Sequence, residues 1–205
     1  MNDQYYTADP TSESNPVPCA FPYRGYGLNF MTDAGVFSKG ELDVGSRLLL
    51  DALPAFTGDV LDIGCGWGAI GVAIAKANKN ARVTMVDVNR RALGLCQENC
   101  KRNGVTAEVI ESDGMAEVLG RKFDAIVTNP PIRAGKQVIY KMFADAAVSL
   151  KEDGALYLVI RKQQGAESCV KYLKTLFNIV EKLDKSAGFW VLKASEPKEE
   201  NTNEV

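Results

Sequence analysis

"LDIGCGWGAIG", Leu61–Gly71, is the stretch of sequence that decides the fold. It ends an apolar run, and Gly64, Gly66 and Gly68 stand between that run and a helical pattern. Glycines in such a turn let the backbone bend sharply and approach a ligand closely. The stretch therefore predicts a strand, a ligand-binding loop and a helix, although a tight turn without a ligand would use the same residues.

The chain around this stretch alternates between strands and helices. From Gly58 onward, apolar runs alternate with helical patterns, including a long helix predicted over 135–154. Two closing runs joined at Ala187 and Gly188 indicate antiparallel strands. We therefore expect an α/β, Rossmann-like fold whose seven-stranded, mostly parallel sheet ends in an antiparallel pair. Upstream, "CAFPYRGYGLNFMT" predicts a short N-terminal β-hairpin.

This pattern divides the chain into three predicted segments. Residues 1–40 form an N-terminal extension with the hairpin, residues 41–194 form the α/β domain, and residues 195–205 form a disordered acidic tail. The polar N-terminus has no apolar core, which argues against a signal peptide. No apolar run approaches the roughly 20 residues of a membrane span. We expect a cytoplasmic protein that does not contact a membrane.

Composition restricts the chemistry and the partners. The 205 residues include five scattered cysteines and no histidine or CxxC pair, so we expect reduced thiols and no metal. The absence of histidine removes Ser–His and Cys–His nucleophile systems. A net charge of −2 argues against nonspecific binding to bare phosphate backbone, but it leaves room for a local basic rim.

Carboxylates stand at the ends of the first three predicted strands of the α/β domain, where ligands of such sheets bind. Asp62 is expected at the mouth of the site, where it would favour a positively charged ligand or stabilise the loop. Asp87 can accept both hydroxyls of a ribose or cap the next helix, for which Asn89 is the better candidate. Asp113 with Gly114 can reach an adenine edge or cap a helix.

"TNPPIRAGK", Thr128–Lys136, follows the fourth strand. Pro130 and Pro131 end the strand, because proline cannot continue a ladder. The side-chain oxygen of Asn129 and the carbonyl of Pro130 can accept hydrogen bonds from both N–H groups of an amine. Such contacts orient the nitrogen for methyl transfer, which needs no strong base. A rigid strand exit is the alternative interpretation.

The set "LDIGCGWG … VDVN … SDG … TNPPI" resembles the class I S-adenosylmethionine-dependent methyltransferases. The resemblance implies S-adenosyl-L-methionine as cofactor, with methionine, ribose and adenine held in turn by the loop, Asp87 and Asp113. On this resemblance, the expected cofactor-binding residues are Asp62, Gly64, Cys65, Gly66, Asp87, Val88, Asp113, Gly114 and Asn129, and the expected catalytic residues are Asn129, Pro130 and Pro131.

Together with "FMTDAGVFSKGELDVGSRLLL", Phe30–Leu50, the proline stretch is similar to the small-subunit ribosomal RNA guanine methyltransferases, which modify the exocyclic amine. The partner implied is ribosomal RNA or the small ribosomal subunit, and the chain resembles the catalytic half of the larger members alone. Ile132 replaces the aromatic residue that many amino methyltransferases place there, so Phe37 or the plane of Arg133 would stack on the base. The expected substrate-binding residues are Phe37, Ser38, Ile132, Arg133 and Lys136.

Five basic residues follow two neighbouring strands, and they predict either a phosphate-binding rim or ordinary solvated charges. They are Arg133, Lys136, Lys141, Arg161 and Lys162.

Other functions share some of these motifs. The methyl acceptor could equally be an adenine in nucleic acid, a protein glutamine amide or a small metabolite. Gly64, Gly66 and Ala69 also satisfy the dinucleotide fingerprint, which would suit an NAD-binding oxidoreductase, but such an enzyme usually needs a histidine. A module that binds cofactor or RNA without turnover is a third alternative.

Overall fold

The computed structural model describes Ala8 and residues 12–198. The predictions that the N-terminus does not form a signal peptide and that the tail is disordered to its end concern residues outside these ranges. The described strands are β1 Val17–Tyr23, β2 Tyr26–Thr32, β3 Gly58–Ile63, β4 Ala81–Asp87, β5 Glu108–Glu111, β6 Phe123–Thr128, β7 Leu150–Arg161, β8 Phe177–Ser186 and β9 Phe189–Pro197. The described α-helices are α1 Val44–Ala52, α2 Ala69–Ala77, α3 Arg90–Asn103, α4 Lys136–Ser149 and α5 Ala166–Leu176.

The main sheet has the strand order β5-β4-β3-β6-β7-β9-β8. Its first five strands run parallel, and β9 pairs antiparallel with both β7 and β8. One apolar core packs the hairpin and α1–α3 on one face, and a second packs α4 and α5 on the other. The predicted α/β fold is confirmed. The strand order reverses between β3 and β6, because β4 and β5 extend the sheet on one side of β3 whereas β6 and β7 extend it on the other. Such folds bind ligands at this switch point.

The predicted N-terminal hairpin is confirmed as β1 and β2, joined by a turn at Arg24 and Gly25, both with positive φ. The hairpin packs on α3, whose Asn99 and Asn103 exchange hydrogen bonds with the backbone of β2. Because its apolar side chains belong to the same core as α1–α3, the hairpin is an integral layer of this fold.

The long helix predicted over 135–154 is wrong at its end. Helix α4 ends at Ser149, and β7 begins at Leu150, which pairs with Phe123 ahead of a register irregularity. Gly154 lies inside β7, where a Cβ would stand 3.0 Å from the carbonyl oxygen of Phe123. The glycine therefore permits a close approach of two strands. In the sequence alone, the same glycine resembles a signal for the end of a helix.

The predicted tail also begins too early. Strand β9 continues through Pro197, since Ser195 pairs with both Ala155 and Ile179. The backbone N–H of Lys198 then donates to Leu176. Residues 195–197 thus belong to β9, which their composition does not reveal.

Candidate active site

A cavity of about 630 Å³ opens at the carboxyl ends of the parallel strands. Its size suits a small-molecule site. The hydroxyl of Thr128 donates to the carbonyl of Ile63 at 2.8 Å, which ties the end of β6 to the end of β3. The glycine loop after β3 and the proline turn after β6 therefore face the same space.

Most of the residues predicted for the site line this cavity. They are Phe37, Ser38, Gly64, Cys65, Gly66, Asp87, Val88, Asp113, Gly114, Asn129, Pro130, Pro131, Ile132 and Arg133. Two predicted residues, Asp62 and Lys136, do not line it. The ammonium of Lys136 instead lies 5.0 Å from the centre of the Tyr140 ring, on the outer surface of α4.

The glycine loop is held by the neighbouring strand. The N–H groups of Gly64 and Cys65 both donate to the carbonyl of Val86, and the N–H of Gly66 donates to Asp87 at 2.8 Å. Gly64 and Gly66 have φ of 69° and 55°, and a Cβ at either position would meet no atom within 4 Å. These glycines serve the backbone conformation, and they leave the loop surface bare toward the cavity.

Asp87 links the loop to the ribose position predicted at the end of β4. One oxygen accepts from Gly66 and the other from the N–H of Asn89, while Asn89 itself caps α3 by accepting from Ala92. Burial raises the pKa of the Asp87 carboxyl. Asp113, at the end of β5, is exposed at the cavity. Its backbone carbonyl, and not its carboxylate, accepts a hydrogen bond from the N–H of Ala116 in the following turn. Neither carboxylate is therefore a helix cap.

The sequence predicted Asp62 at the mouth of the site, and this prediction is wrong. Its side chain is fully buried beneath the loop, where Oδ2 accepts from the N–H of Gly71 at 2.8 Å. Within the described residues, Oδ1 has no hydrogen-bond partner. Burial, together with the nearby Asp87, raises the pKa of Asp62 to about 7. The alternative role of stabilising the loop and α2 is the one that these contacts represent.

Asn129 is held in one orientation by helix α1. Its Nδ2 donates to Oδ2 of Asp43 and to Oγ of Ser46, each at 3.0 Å. A carboxylate only accepts hydrogen bonds, so the amide nitrogen must face α1. Among the residues that the structure describes, none donates to Oδ1 of Asn129. This oxygen is thus available to an amine, as the sequence analysis expected.

Pro130 and Pro131 form a rigid exit and also present an acceptor. The carbonyl of Pro131 accepts from Ala134 as the chain enters a short 3-10 helix, Ile132–Ala134. No described N–H donates to the carbonyl of Pro130. The turn is therefore a rigid strand exit, and it also leaves one carbonyl without a described donor at the cavity wall, where an amine could reach it.

The loop before α1 supplies an aromatic surface. Phe37 is 36% exposed at the cavity, and its backbone carbonyl accepts from the indole of the buried Trp67 at 2.8 Å. The hydroxyl of Ser38 donates to the carbonyl of Glu41 and so is already engaged. Phe37 can stack on a planar ligand, whereas Ser38 contributes mainly shape.

Three of the basic residues predicted as a rim line the cavity. Arg133 is exposed there, Lys141 pairs with Asp145 at 2.6 Å, and Arg161 is the last residue of β7 on the same side. Lys162 does not line the cavity. The rim is therefore smaller than predicted, and one of its charges is already partly neutralised.

Asp43, Ser46, Gln164 and Phe189 are among the lining residues that sequence reasoning missed. Asp43 caps α1 by accepting from the N–H of Ser46 at 2.9 Å. An Asp two residues ahead of a glycine and at the start of a helical apolar run is a cap signal, which predicts a helix start but no contact with Asn129. Gln164 and Phe189 carry no comparable signal, since only folding brings β7 and β9 to this edge.

The described residues contain no group of three or more His, Cys, Asp or Glu side chains able to hold a metal ion. All five cysteines are free and buried. No helix in the same part of the chain is long and apolar enough to cross a membrane.

Comparison with known proteins decides the class of the site. The family model of the methyltransferase small domain matches residues 27–193, which include the hairpin strand β2, the glycine loop and the proline turn. The chain belongs to this family. Membership confirms a class I methyltransferase with S-adenosylmethionine as its cofactor, and it gives no support to the oxidoreductase alternative.

The chain is also similar to individual proteins and to a solved structure. It is 42% identical to YbxB of Bacillus subtilis over 98% of that protein, and 40% identical over 171 residues to Ribosomal RNA small subunit methyltransferase C of Aeromonas hydrophila. It spans 48% of the latter, about half its length. A solved structure of the T. thermophilus 16S rRNA N2 G1207 methyltransferase, in complex with AdoMet and guanosine, matches with a TM-score of 0.80 and 28% identity over 88% of this chain and 50% of that one.

The cavity of this methyltransferase fits the cofactor. Its bare glycine loop leaves space beside β3, and Asp87 and Asp113 stand at successive strand ends, as a nucleoside attached to a methionine requires. Asp87 keeps acceptor capacity for hydroxyls, since each of its oxygens has two lone pairs.

Proposed function

We propose that the chain transfers a methyl group from S-adenosylmethionine to the exocyclic amine of a guanine in small-subunit ribosomal RNA. The observation that carries this proposal is the orientation of Asn129, whose Nδ2 is held by Asp43 and Ser46 while Oδ1 remains unpaired within the described residues. The names of the ribosomal RNA methyltransferases that resemble the chain support the choice of acceptor. Such an acceptor places the reaction in the cytoplasm.

Asn129 and Pro130 would activate the amine. The lone pair of an aromatic amine is delocalised into the ring, which makes the nitrogen a weak nucleophile. If Oδ1 of Asn129 and the carbonyl of Pro130 accept its two N–H groups, the nitrogen is oriented and its lone pair is directed toward the methyl donor. Both acceptors are fixed before substrate arrives, so little reorganisation is needed.

The donor side is proposed to use the loop and the strand ends. Gly64, Cys65 and Gly66 would contact the methionine portion, Asp87 and Val88 the ribose, and Asp113 and Gly114 the adenine. When bound, the cofactor supplies a methyl group whose bond to sulfur breaks as the bond to nitrogen forms, leaving a neutral thioether. The methylated nitrogen is then acidic, and its proton passes to solvent without a protein base.

The RNA side is proposed to use Phe37 and a few charges. Phe37 offers the exposed ring that Ile132 lacks, so it would stack on the target base while Ile132 supports the other side. Arg133 would contact a neighbouring phosphate.

A direct experiment separates this acceptor from the others. The purified protein is incubated with isotopically labelled S-adenosylmethionine and, separately, with naked 16S rRNA, 30S particles and a protein fraction. We expect label in N2-methylguanosine after digestion and mass spectrometry of the RNA. Label in adenosine, in protein glutamine or only in small metabolites would contradict the proposal, while cofactor binding with no transfer to any fraction would indicate a module without turnover.

A further inference from the structure

A carboxylate stands beside Asn129 at the wall of the cavity. Oδ2 of Asp43 accepts from Ser46 and from Asn129. Nothing in the described residues donates a hydrogen bond to Oδ1 of Asp43, and no described cation forms an ion pair with this carboxylate. The cavity therefore contains an anionic acceptor that its own protein surroundings leave half used.

The other carboxylates of the cavity either bond other groups or lie at a more distant strand end. Asp87 holds the loop backbone and lies at the end of β4, and Asp145 is paired with Lys141. Asp113 lies at the end of β5, and two strands, β4 and β3, separate β5 from β6 in the sheet. Among these carboxylates, only Asp43 contacts the side-chain amide of Asn129, which is proposed to bind the amine of the base. The unpaired oxygen of Asp43 is therefore the one placed to meet the ring atom next to that amine.

The atom that adjoins the amine distinguishes the bases. In guanine, the exocyclic amine is next to N1–H, which is a donor. In adenine and in 2-aminopurine, the amine is next to an unprotonated ring nitrogen, which is an acceptor. A carboxylate attracts the first and repels the second, and a site built to bond a donor rejects a ligand that lacks it.

We propose that Asp43 is the specificity-determining residue for the base, with its Oδ1 accepting the N1–H of guanine while Asn129 and Pro130 accept the amine. This inference rests on the proposed function. Asp43 would then act twice: Oδ2 fixes the amide of Asn129, and Oδ1 reads the ring position beside the methylated nitrogen. Ser46 fixes the same amide without reading the base.

The test uses two RNAs that differ at one base. A synthetic 16S rRNA fragment carries either guanine or 2-aminopurine at the methylated position; the second base keeps the amine but lacks the N1 proton. For the unaltered protein, we expect kcat/KM to favour guanine by about ten- to a hundredfold, the effect of one hydrogen bond to a charged acceptor.

Asp43→Asn changes the sign of this contact without removing the others. One amide oxygen can still cap α1 and accept from Asn129, and Asn is as good a cap as Asp. The amide nitrogen replaces Oδ1 and can donate to the unprotonated N1 of 2-aminopurine. We expect the guanine preference to fall at least tenfold, with the melting temperature and cofactor affinity preserved.

Ser46→Ala is the matched control. It weakens the hold on Asn129 and should lower kcat/KM for both RNAs by the same factor, leaving the preference unchanged. An unchanged preference in Asp43→Asn, or equal rates of the unaltered protein on both RNAs, would overturn the inference while guanine methylation still stood. Failure of the unaltered protein to methylate the guanine fragment would overturn the proposed function together with this inference.

Discussion

Replacing Asn129 with alanine tests the chemical side of the site. The substitution removes Oδ1, the acceptor proposed for the amine, and both hydrogen bonds from Nδ2 to Asp43 and Ser46. Removing one pre-positioned polar group from a transition state costs about 10²–10³-fold in kcat. We expect kcat to fall by that factor and the affinity for S-adenosylmethionine to change less than about threefold, since the cofactor contacts proposed for the loop and Asp87 remain.

The same substitution has a separate effect on stability. The two lost hydrogen bonds contribute about 1 kcal/mol each, and water in the cavity can replace them on Asp43 and Ser46. We expect the free energy of unfolding to fall by about 1–2 kcal/mol, which lowers the melting temperature by several degrees. Steady-state methylation of the RNA gives kcat and KM, calorimetry gives cofactor affinity, and thermal unfolding gives stability.

Asn103→Ala is the control for stability. Asn103 is also a buried asparagine, whose amide bonds the backbone N–H and C=O of Asn29 in the hairpin, and it does not line the cavity. The Asn103→Ala variant should lose about as much free energy of unfolding as Asn129→Ala and keep the kcat of the unaltered protein. A full kcat in Asn129→Ala, or an equal loss of kcat in both variants at a temperature where both are folded, would refute the reasoning.

Three further predictions concern the loop and its support. Gly71→Ala should lower the free energy of unfolding by about 1–3 kcal/mol in denaturant titrations, because a Cβ there would stand 2.3 Å from the sulfur of the buried Met85. Asp87→Ala should weaken cofactor binding at least tenfold in calorimetry, whereas Glu111→Ala, outside the cavity, should not. Asp62 has a pKa raised to about 7, so its contribution to stability is complete below its ordinary pKa and is lost as pH rises toward and through 7. Unfolding at pH 5 and pH 8 should therefore show a smaller loss of stability with rising pH in Asp62→Asn than in the unaltered protein.

Each of these predictions has an outcome that contradicts it. Unaltered stability of Gly71→Ala would mean that α2 and β4 are not packed as closely as the distances require. Equal cofactor affinity in the Asp87 and Glu111 variants would remove Asp87 from the ribose site. The same pH dependence with and without Asp62 would mean that this carboxyl ionises as it does in the unfolded chain.

The local signals in the sequence predicted the fold well. Alternating apolar runs and glycine turns depend on near neighbours, so the parallel sheet, the hairpin and the closing strand pair were all recognisable. The errors occurred where tertiary pairing overrides local pattern. Gly154 resembles a helix stop but permits close strand packing, and Ser195 resembles the start of a tail but is bonded on both sides.

The site was predictable in part, for a related reason. Glycines and prolines have few conformational uses, so the loop at Gly64 and the turn at Pro130 identify themselves. A carboxylate has many uses, so the sequence does not distinguish a carboxylate at the mouth of the site from one beneath the loop. Asp62 is of the second kind, since it accepts from the N–H of Gly71. Asp43 lies 86 positions before Asn129, and no pattern in the sequence links the two.

The measurement that tests the account most directly is a crystal structure of the protein with S-adenosylhomocysteine and guanosine. We predict the thioether beside the loop at Gly64 and Gly66, with the guanine amine within hydrogen-bond distance of Oδ1 of Asn129 and the carbonyl of Pro130. A guanine bound away from this proline turn, or turned so that its amine faces solvent, would contradict the central claim that donor and amine meet between the ends of β3 and β6.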